Sequence, residues 1–454
     1  MDFIHTALSK LSDILWGLPL MVALIGTGIY LSTTLGFVQF RHLFRALRMI
    51  FMPPKDEGST GDISHFQALM TALAATVGTG NIAGVGTAVA MGGPGALFWM
   101  WITGLVGMAT KYAEAVLAIR YRTVKPNGSV AGGPMYYIEH GLGSKWLARA
   151  FAIAASVAAF GTGNMIQSNS VAEAINGAFG VPNWITGLVI AVLAGMVILG
   201  GIKSIGYVTQ VLVPFMIVFY MIAGLAAVGM NLHLLPQTLK IIFVHAFTGE
   251  AAFGGLVGAG IKESMRFGLA RGLLSNESGQ GSSPIAAAAA RTDHPVTQAL
   301  VSMTQTFIDT LVVCSMTGFI IIMSQSMDGD ATGAKLTAIS FNTLLNSDIG
   351  GYITAISLAV FAYSTLLGWS YYGEISLEYI FGLSVIKYYR VVFVIFIFIG
   401  AVIRLETVWI FSDVMNALMA LPNLLALVLL GREVKRIHND YFSDTDMKDK
   451  EYTV

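Results

Sequence analysis

Charge is scarce in this sequence. Of 454 residues, 26 are basic and 26 acidic, 11% of the chain with no net excess, where soluble domains carry about 25%. The scarcity excludes a disordered chain, which would be polar and charge-rich. It also excludes nucleic acid as a partner, because no basic surplus is present to neutralise phosphates. Cysteine is rarer still: Cys314 stands alone, so neither an internal disulfide nor a thiolate metal cluster can form. What fills the chain is apolar. Hydrophobic residues make up 55% and glycine 50 positions, with a mean hydropathy of +0.70. A soluble protein of this length needs far more solvated surface. The solvent these residues fit is a lipid bilayer.

The spacing of the few charges marks the crossings. A hydrocarbon core about 30 Å thick takes roughly 20 apolar residues as a helix. No charge occurs from Ile14 to Phe40 or from Phe66 to Thr110; the second run is too long for one crossing and turns at Gly92-Gly93-Pro94-Gly95. Read this way, the chain is an all-α polytopic membrane protein with eleven transmembrane helices, near 14–37, 66–90, 95–118, 150–176, 183–202, 206–229, 266–290, 296–322, 351–374, 388–403 and 407–430. The tenth needs Arg390 and Arg404 to snorkel to the interfaces. The first is read as a retained helix, not a secretory signal: Asp2 and Asp13 flank it and no small-residue cleavage site follows. Under eleven alternations, eighteen Lys and Arg fall on one face and seven on the other, with Lys111 alone inside a span. That bias puts the N-terminus outside and the C-terminus in the cytoplasm.

Segments 231–265 and 328–348 are expected as short surface helices outside. The Gly-rich stretch 123–146, inside, reads equally as a gating loop or an ordinary connector. The end, 438–454, reads as a polar, frayed cytoplasmic tail.

Two spans look broken. One holds Ala74-Ala75-Thr76-Val77-Gly78-Thr79-Gly80-Asn81, the other Leu274-Ser275-Asn276-Glu277-Ser278-Gly279-Gln280-Gly281. Irregular backbone at that depth is tolerated only where it lines a protein cavity. Five spans begin with the first break (66–230) and five with the second (250–430), after one extra helix (14–37). Five is odd, so the halves cross in opposite senses: a five-plus-five inverted repeat, with the breaks pointing to a midplane site. Small residues also serve close helix packing, the reading preferred for Gly84 and Gly86. Other motifs fail. The run from Gly78 to Gly84 has the wrong spacing for a dinucleotide fingerprint, Ile339 stands where a calcium loop from Asp328 needs its bidentate Glu, and no hydrolytic set is present. An enzyme is not expected.

The blocks GGPGALFWMW (Gly92 to Trp101) and RGLLSNESGQGSSP (Arg271 to Pro284) closely resemble signatures of the alanine-or-glycine:cation symporter family, and the likeness runs from about residue 14 to 436. Gln280 departs from it, standing where the family commonly has an apolar residue. The resemblance implies a leucine-transporter-like fold in a prokaryotic plasma (inner) membrane and import of a small neutral amino acid with Na⁺, with glutamine carried by a minority. By position it implies a sodium site of the Ala74 and Val77 carbonyls, the backbone near Phe361 and the hydroxyls of Ser364 and Thr365. It implies a substrate site between Thr76, Gly78, Thr79, Gly80 and Asn81 and Leu274, Ser275, Asn276, Ser278 and Gly279, closed by Gln167 and Trp369. No other cofactor is implied, and nothing in the sequence specifies an oligomer.

The chemistry of the breaks agrees. Half-helix N–H groups near Gly80 and Asn81 suit a carboxylate, and carbonyls ending near Leu274 and Ser275 suit an ammonium or a hard cation. For Ser364 and Thr365, hydroxyls bonded back to their own helix are an equal alternative; for Gln167, interhelical bonding is the more ordinary role. Lys111 and Glu114, three apart, are expected to neutralise each other. Asp309, Glu173, Glu374 and Asp413 are expected to pair or gate. Glu277 is expected to tie unwound backbone ahead of binding a cation. Proton coupling through Glu277 or Asp309 is the nearest rival mechanism.

Overall fold

A computed structural model describes residues 2–52, 59–248, 260–327, 331–403 and 406–443. Lys55, Glu250, Asp328, Asp330, Arg404 and the tail beyond Ser443 lie outside the described residues.

Charge-free runs become helices because lipid offers the backbone no other partner. Among the described residues, eight helices are long and apolar enough to cross a membrane, and the bent pair His65–Thr76 and Gly80–Gly92 makes nine. The expected eleven are not reached by this measure, for two physical reasons. Asn183–Ile198 has only 16 residues, about 24 Å at the helical rise. Ile261–Asn276 carries Lys262, Glu263, Arg266 and Arg271, then stops at Glu277. The expected first span is two helices, Asp2–Leu15 and Leu18–Thr34, separated at Trp16-Gly17.

The helix Gly95–Arg120 is the hub. It packs on Leu18–Thr34, Ile261–Asn276 and Pro295–Thr306, and Met108 to Ile119 is buried without interruption. Peripheral helices are apolar on the outside. On Gly201–Met230 the side chains of Tyr207, Val211, Phe215, Val218, Ile222 and Leu225 are all exposed, in steps of three and four that trace one helical stripe. A stripe like that is a lipid-facing surface.

The segments expected as surface helices contain Leu235–Phe247 and Gly333–Leu345. The second rests on the first broken span, where Thr337 Oγ1 donates to the Ile82 carbonyl at 3.1 Å. The stretch 123–146 forms a hairpin, Thr123–Val124 with Val130–Ala131, and the helix Pro134–Leu142. The start of the expected tail is helical too. Gly431–Ser443 buries Val434, Ile437, His438 and Tyr441, spacings that put all four on one face. Arg390 does not snorkel alone; it forms a bidentate pair with Glu374, Nε to Oε2 at 2.6 Å and Nη2 to Oε1 at 2.7 Å.

Candidate functional site

The first break is made by a hydrogen bond that changes partner. Ser64 and Gln67 cap the helix His65–Thr76 reciprocally, and at Val77 ψ swings to 88°. The Gly78 N–H then donates to Asn81 Oδ1 at 2.9 Å. Its α-helical partner would be the Ala74 carbonyl, which is thereby released. Helix resumes in a π-helical turn, Gly80–Gly84, with the axis bent by 51°. Only glycine fits at 78, because a Cβ there would stand 2.5 Å from Thr365 Oγ1.

The second break is tied down from outside. Glu277 caps Ile261–Asn276 in the left-handed region at φ 55°, followed by Gly279 at φ 86° and Gly281 at φ 83°. Helix restarts only at Pro284–Ala288. Buried backbone polar groups need partners, and neighbouring spans supply them. Lys111 Nζ donates to the Glu277 carbonyl at 3.1 Å and to Ser283 Oγ at 2.6 Å. Glu114 Oε1 accepts from the Gly281 N–H at 3.1 Å and from Asn423 Nδ2 at 2.7 Å. Asn423 Nδ2 also reaches the Gly279 carbonyl at 2.9 Å. Lys111 and Glu114 do face each other, 3.9 Å apart. The Glu277 carboxylate accepts from Trp369 Nε1 at 2.9 Å and from Ser282 Oγ. Gln280 turns its amide back on the Leu273 carbonyl at 3.1 Å.

Between the breaks lies a cavity of about 140 Å³, small against the roughly 300–1,000 Å³ pockets that hold drug-sized ligands. Of the residues expected around a substrate, Thr76, Gly78, Thr79, Gly80, Gln167, Leu274, Ser275 and Trp369 line it. Gln167 anchors its Nε2 on the Thr162 carbonyl at 3.0 Å and leaves Oε1 buried without a partner among the described residues. Asn81, Asn276, Ser278 and Gly279 do not line the cavity. Asn81 Nδ2 donates to Asp309 Oδ1 at 2.7 Å, Asn276 Nδ2 reaches Thr310 Oγ1 at 3.2 Å, and Ser278 Oγ meets Thr306 Oγ1 at 3.2 Å. Gly279 faces Leu24 and Leu424. These four hold the breaks in place.

Sequence reasoning missed part of the lining: Thr162, Ile166, Arg271, Trp409 and Asp413, with Glu277. A signal was there. Arg271 lies three before Leu274, and Trp409 four before Asp413, spacings that share a helix face.

Beside the cavity, oxygen atoms converge. Ser364 Oγ lies 3.1 Å from the Ala74 carbonyl, 3.5 Å from that of Val77 and 2.7 Å from that of Phe361, and Thr365 Oγ1 lies 3.1 Å from the Phe361 oxygen. Both hydroxyls thus bond back to their own helix, and Ser364 also bridges to the broken span. Two three-and-four-residue back-bonds and two released carbonyls form one neutral, oxygen-rich cluster that touches the cavity at Thr365.

The two ends of the cavity differ. Ala83 and Trp409 also line a larger cavity of about 970 Å³, with Glu173, Lys335 and Asp348 on its walls. At the other end, the segment before the first broken span is stitched to the segment after the second. The Asp62 N–H donates to the Ala289 carbonyl at 2.8 Å and the Arg291 N–H to that of Ile63 at 2.8 Å. Arg122 adds bonds to the carbonyls of Ala290 at 2.7 Å and Thr60 at 2.8 Å, and Lys125 pairs with Glu378 at 2.7 Å.

Two interrupted helices flanking a small polar cavity are what a membrane carrier needs, and the sequence model of the sodium:alanine symporter family matches residues 1–454. The chain belongs to that family. It is 54% identical over 440 residues to the sodium/alanine symporter AgcS of Methanococcus maripaludis, covering 95% of each chain. It is 36% identical to the probable sodium/glutamine symporter GlnT of Bacillus subtilis, over 95% of this chain and 89% of the relative. Among solved structures, MhsT in complex with L-phenylalanine superposes with a TM-score of 0.56 at 14% identity, over 87% of this chain and 96% of that one. The fold is therefore of the leucine-transporter type, and the protein is a transporter, not an enzyme.

Proposed function

We propose that this symporter imports a small neutral amino acid of the alanine or glycine class together with Na⁺, by alternating access. The observation that carries the reading is the oxygen cluster of Ala74, Val77, Phe361, Ser364 and Thr365 abutting the cavity between the breaks. A hard cation takes oxygen ligands, and a cation here sits against the amino-acid site, so each favours the other's occupancy. The half-helix opening at Thr79 and Gly80 receives the carboxylate, Gln167 Oε1 and the end of the helix at Leu274 and Ser275 receive the ammonium, and Trp369 limits the side chain.

The inverted repeat, residues 66–230 against 250–430, is supported by which helices touch. Val85–Gly92 packs on Ile261–Asn276, Gly95–Arg120 on Pro295–Thr306, Lys145–Phe160 on Ile349–Phe381, and Asn183–Ile198 on Ile386–Val402. Each pairs a member of one half with its counterpart in the other, which fits a two-fold axis in the membrane plane. With the Arg122 and Lys125 end cytoplasmic, the stitched end is the inner gate and the 970 Å³ cavity an outer vestibule, so the state is outward-facing. One sodium suffices energetically: about 2.3 kcal/mol per charge at 100 mV, with about 1.4 kcal/mol from a tenfold gradient, sustains a several-hundred-fold amino-acid gradient.

Proton coupling is the second reading, favoured by the burial of Glu277 and Asp309 beside the breaks. Uptake of labelled alanine, glycine, serine and glutamine into proteoliposomes, under separately imposed Na⁺, Li⁺ and H⁺ gradients, decides among these. Accumulation of alanine that follows pH and ignores Na⁺ would overturn the sodium assignment, and preference for glutamine would overturn the substrate class.

A further inference from the structure

One tetrapeptide occurs twice. Gly78-Thr79-Gly80-Asn81 of the first broken span recurs as Gly161-Thr162-Gly163-Asn164, between the helices Lys145–Phe160 and Ile166–Phe179. Both copies meet irregular backbone: the first runs into the π-helical turn Gly80–Gly84, and the second opens the π-helical turn Gly161–Met165. Turns of that kind gather at functional sites. Both copies also pack on one face of Ile349–Phe381. A Cβ on Gly78 would stand 2.5 Å from Thr365 Oγ1, and one on Gly163 would collide with Trp369; positions four apart share a helix face. In each copy the asparagine turns away, Asn81 to Asp309 at 2.7 Å and Asn164 to the Phe393 carbonyl at 2.7 Å. In each copy the threonine lines the cavity between the breaks.

These two threonines differ from their neighbours in an unspent hydroxyl. Thr76, Thr87 and Thr365 donate to the carbonyls of Ala72 at 3.1 Å, Ala83 at 2.9 Å and Phe361 at 3.1 Å, the ordinary bond back to a helix's own turn. Among the described residues Thr79 Oγ1 makes no hydrogen bond, and Thr162 Oγ1 only accepts, from Asn416 Nδ2 at 2.8 Å. The Thr162 proton is left for the cavity. Gln167 ties the two copies together. Its Nε2 donates to the Thr162 carbonyl at 3.0 Å, and its Oε1 would lie 3.5 Å from a Cβ on Gly78. Two O–H donors on different spans therefore share a cavity of about 140 Å³. The group of an amino acid that offers two acceptor oxygens and no donor is its carboxylate, and hydrogen bonds to an ionised acceptor are the strong ones.

We propose that Thr79 and Thr162 clamp the substrate carboxylate, one hydroxyl to each oxygen, and that Asn416 positions Thr162 for it. The clamp rests on the amino-acid reading above and adds the span of Thr162 to the binding site. The test is uptake of labelled alanine into proteoliposomes, with alaninamide as competitor. Thr162→Val and Thr162→Ala, which both lose the hydroxyl, should raise the alanine KM roughly 10–100-fold with Tm unchanged, and Thr162→Ser should keep it near wild type. Alaninamide replaces one carboxylate oxygen by a donor, so the preference of the wild type for alanine over alaninamide should shrink about tenfold in Thr162→Val. Asn416→Leu should raise KM in the wild type and add nothing to Thr162→Val, whereas a merely structural loss would add. An unmoved KM, or a rise that leaves the alanine-to-alaninamide preference unchanged, would overturn the clamp alone. A wild type that takes up no alanine would overturn the amino-acid reading beneath it.

Discussion

Asn81 Nδ2 lies 2.7 Å from Asp309 Oδ1, and the same carboxylate accepts from Ser275 Oγ at 3.0 Å through Oδ2. Asn81 belongs to one broken span and Ser275 to the other. A single buried side chain on a third helix therefore fixes the separation of the two breaks. Replacing it by Asn turns one acceptor into a donor facing donors, which costs about 1–3 kcal/mol. Initial uptake by Asp309→Asn should fall by roughly 5–150-fold in protein that still reconstitutes. A variant carrying at wild-type rate would show that the spacing of the breaks is not set here.

Thr365 stands where cavity and oxygen cluster meet. Thr365→Ala removes one oxygen and leaves the fold's packing nearly intact, so the sodium concentration for half-maximal uptake should rise about tenfold, or about 1.4 kcal/mol. Thr365→Ser should retain most of the affinity. Unchanged sodium activation in the Ala variant would place the cation elsewhere.

Gly279 is held at φ 86°, and a Cβ there would lie 2.7 Å from Leu24 Cδ2 and 3.0 Å from Leu424 Cδ2. Gly279→Leu meets left-handed strain of roughly 1–2 kcal/mol and a clash with Leu24 of the helix Leu18–Thr34. It should unfold at a markedly lower temperature and lose uptake; a thermal melt with parallel transport assays checks both.

Both breaks were legible because glycine and polar residues at mid-span are costly in lipid unless they do something. The charge-free runs placed most spans within a few residues for the same reason. What the sequence hid was direction. An unwound segment has no period, so nothing told Thr79 and Gly80, which line the cavity, from Asn81 and Asn276, which turn to Asp309 and Thr310. The π-helical turns at Gly161–Met165 and Phe307–Cys314 were equally invisible, since the phase shift of one extra residue leaves little mark in spans that are apolar on most sides. Long-range links such as Lys111 to Glu277 depend on which helices become neighbours.

Acid should weaken the contact between the turn at His42 and the helix Gly431–Ser443 first. His42 and His438 titrate near 4 when folded against 6.5 when unfolded, so between those values the unfolded chain binds more protons. Stability is then fully present above about pH 6.5 and lost as pH falls toward 4. Melting temperature measured from pH 7.5 to 4.5 should drop across that window, and His42→Gln should flatten the drop. A flat profile in the wild type would contradict the buried, neutral imidazoles.

Lys111 and Glu114 provide a test that separates holding a break from merely filling space. Lys111 Nζ touches Glu277 O and Ser283 Oγ and lies 3.9 Å from Glu114 Oε2, while Glu114 Oε1 receives the Gly281 N–H. Removing the cation alone leaves a buried carboxylate without its counter-charge, a loss of about 3–5 kcal/mol. Lys111→Met should therefore be strongly destabilised. Glu114→Gln keeps an amide oxygen for Gly281 and Asn423, so in the double variant the stranded charge disappears while that backbone bond survives. The double variant should melt above Lys111→Met, with an interaction energy well outside the additive range of about 0.3–0.5 kcal/mol. Uptake should not recover alongside stability, because the Glu277 carbonyl and Ser283 still lack the ammonium. Additive melting losses, or full recovery of transport in the double variant, would show that the pair is bulk and not the clamp on the second break.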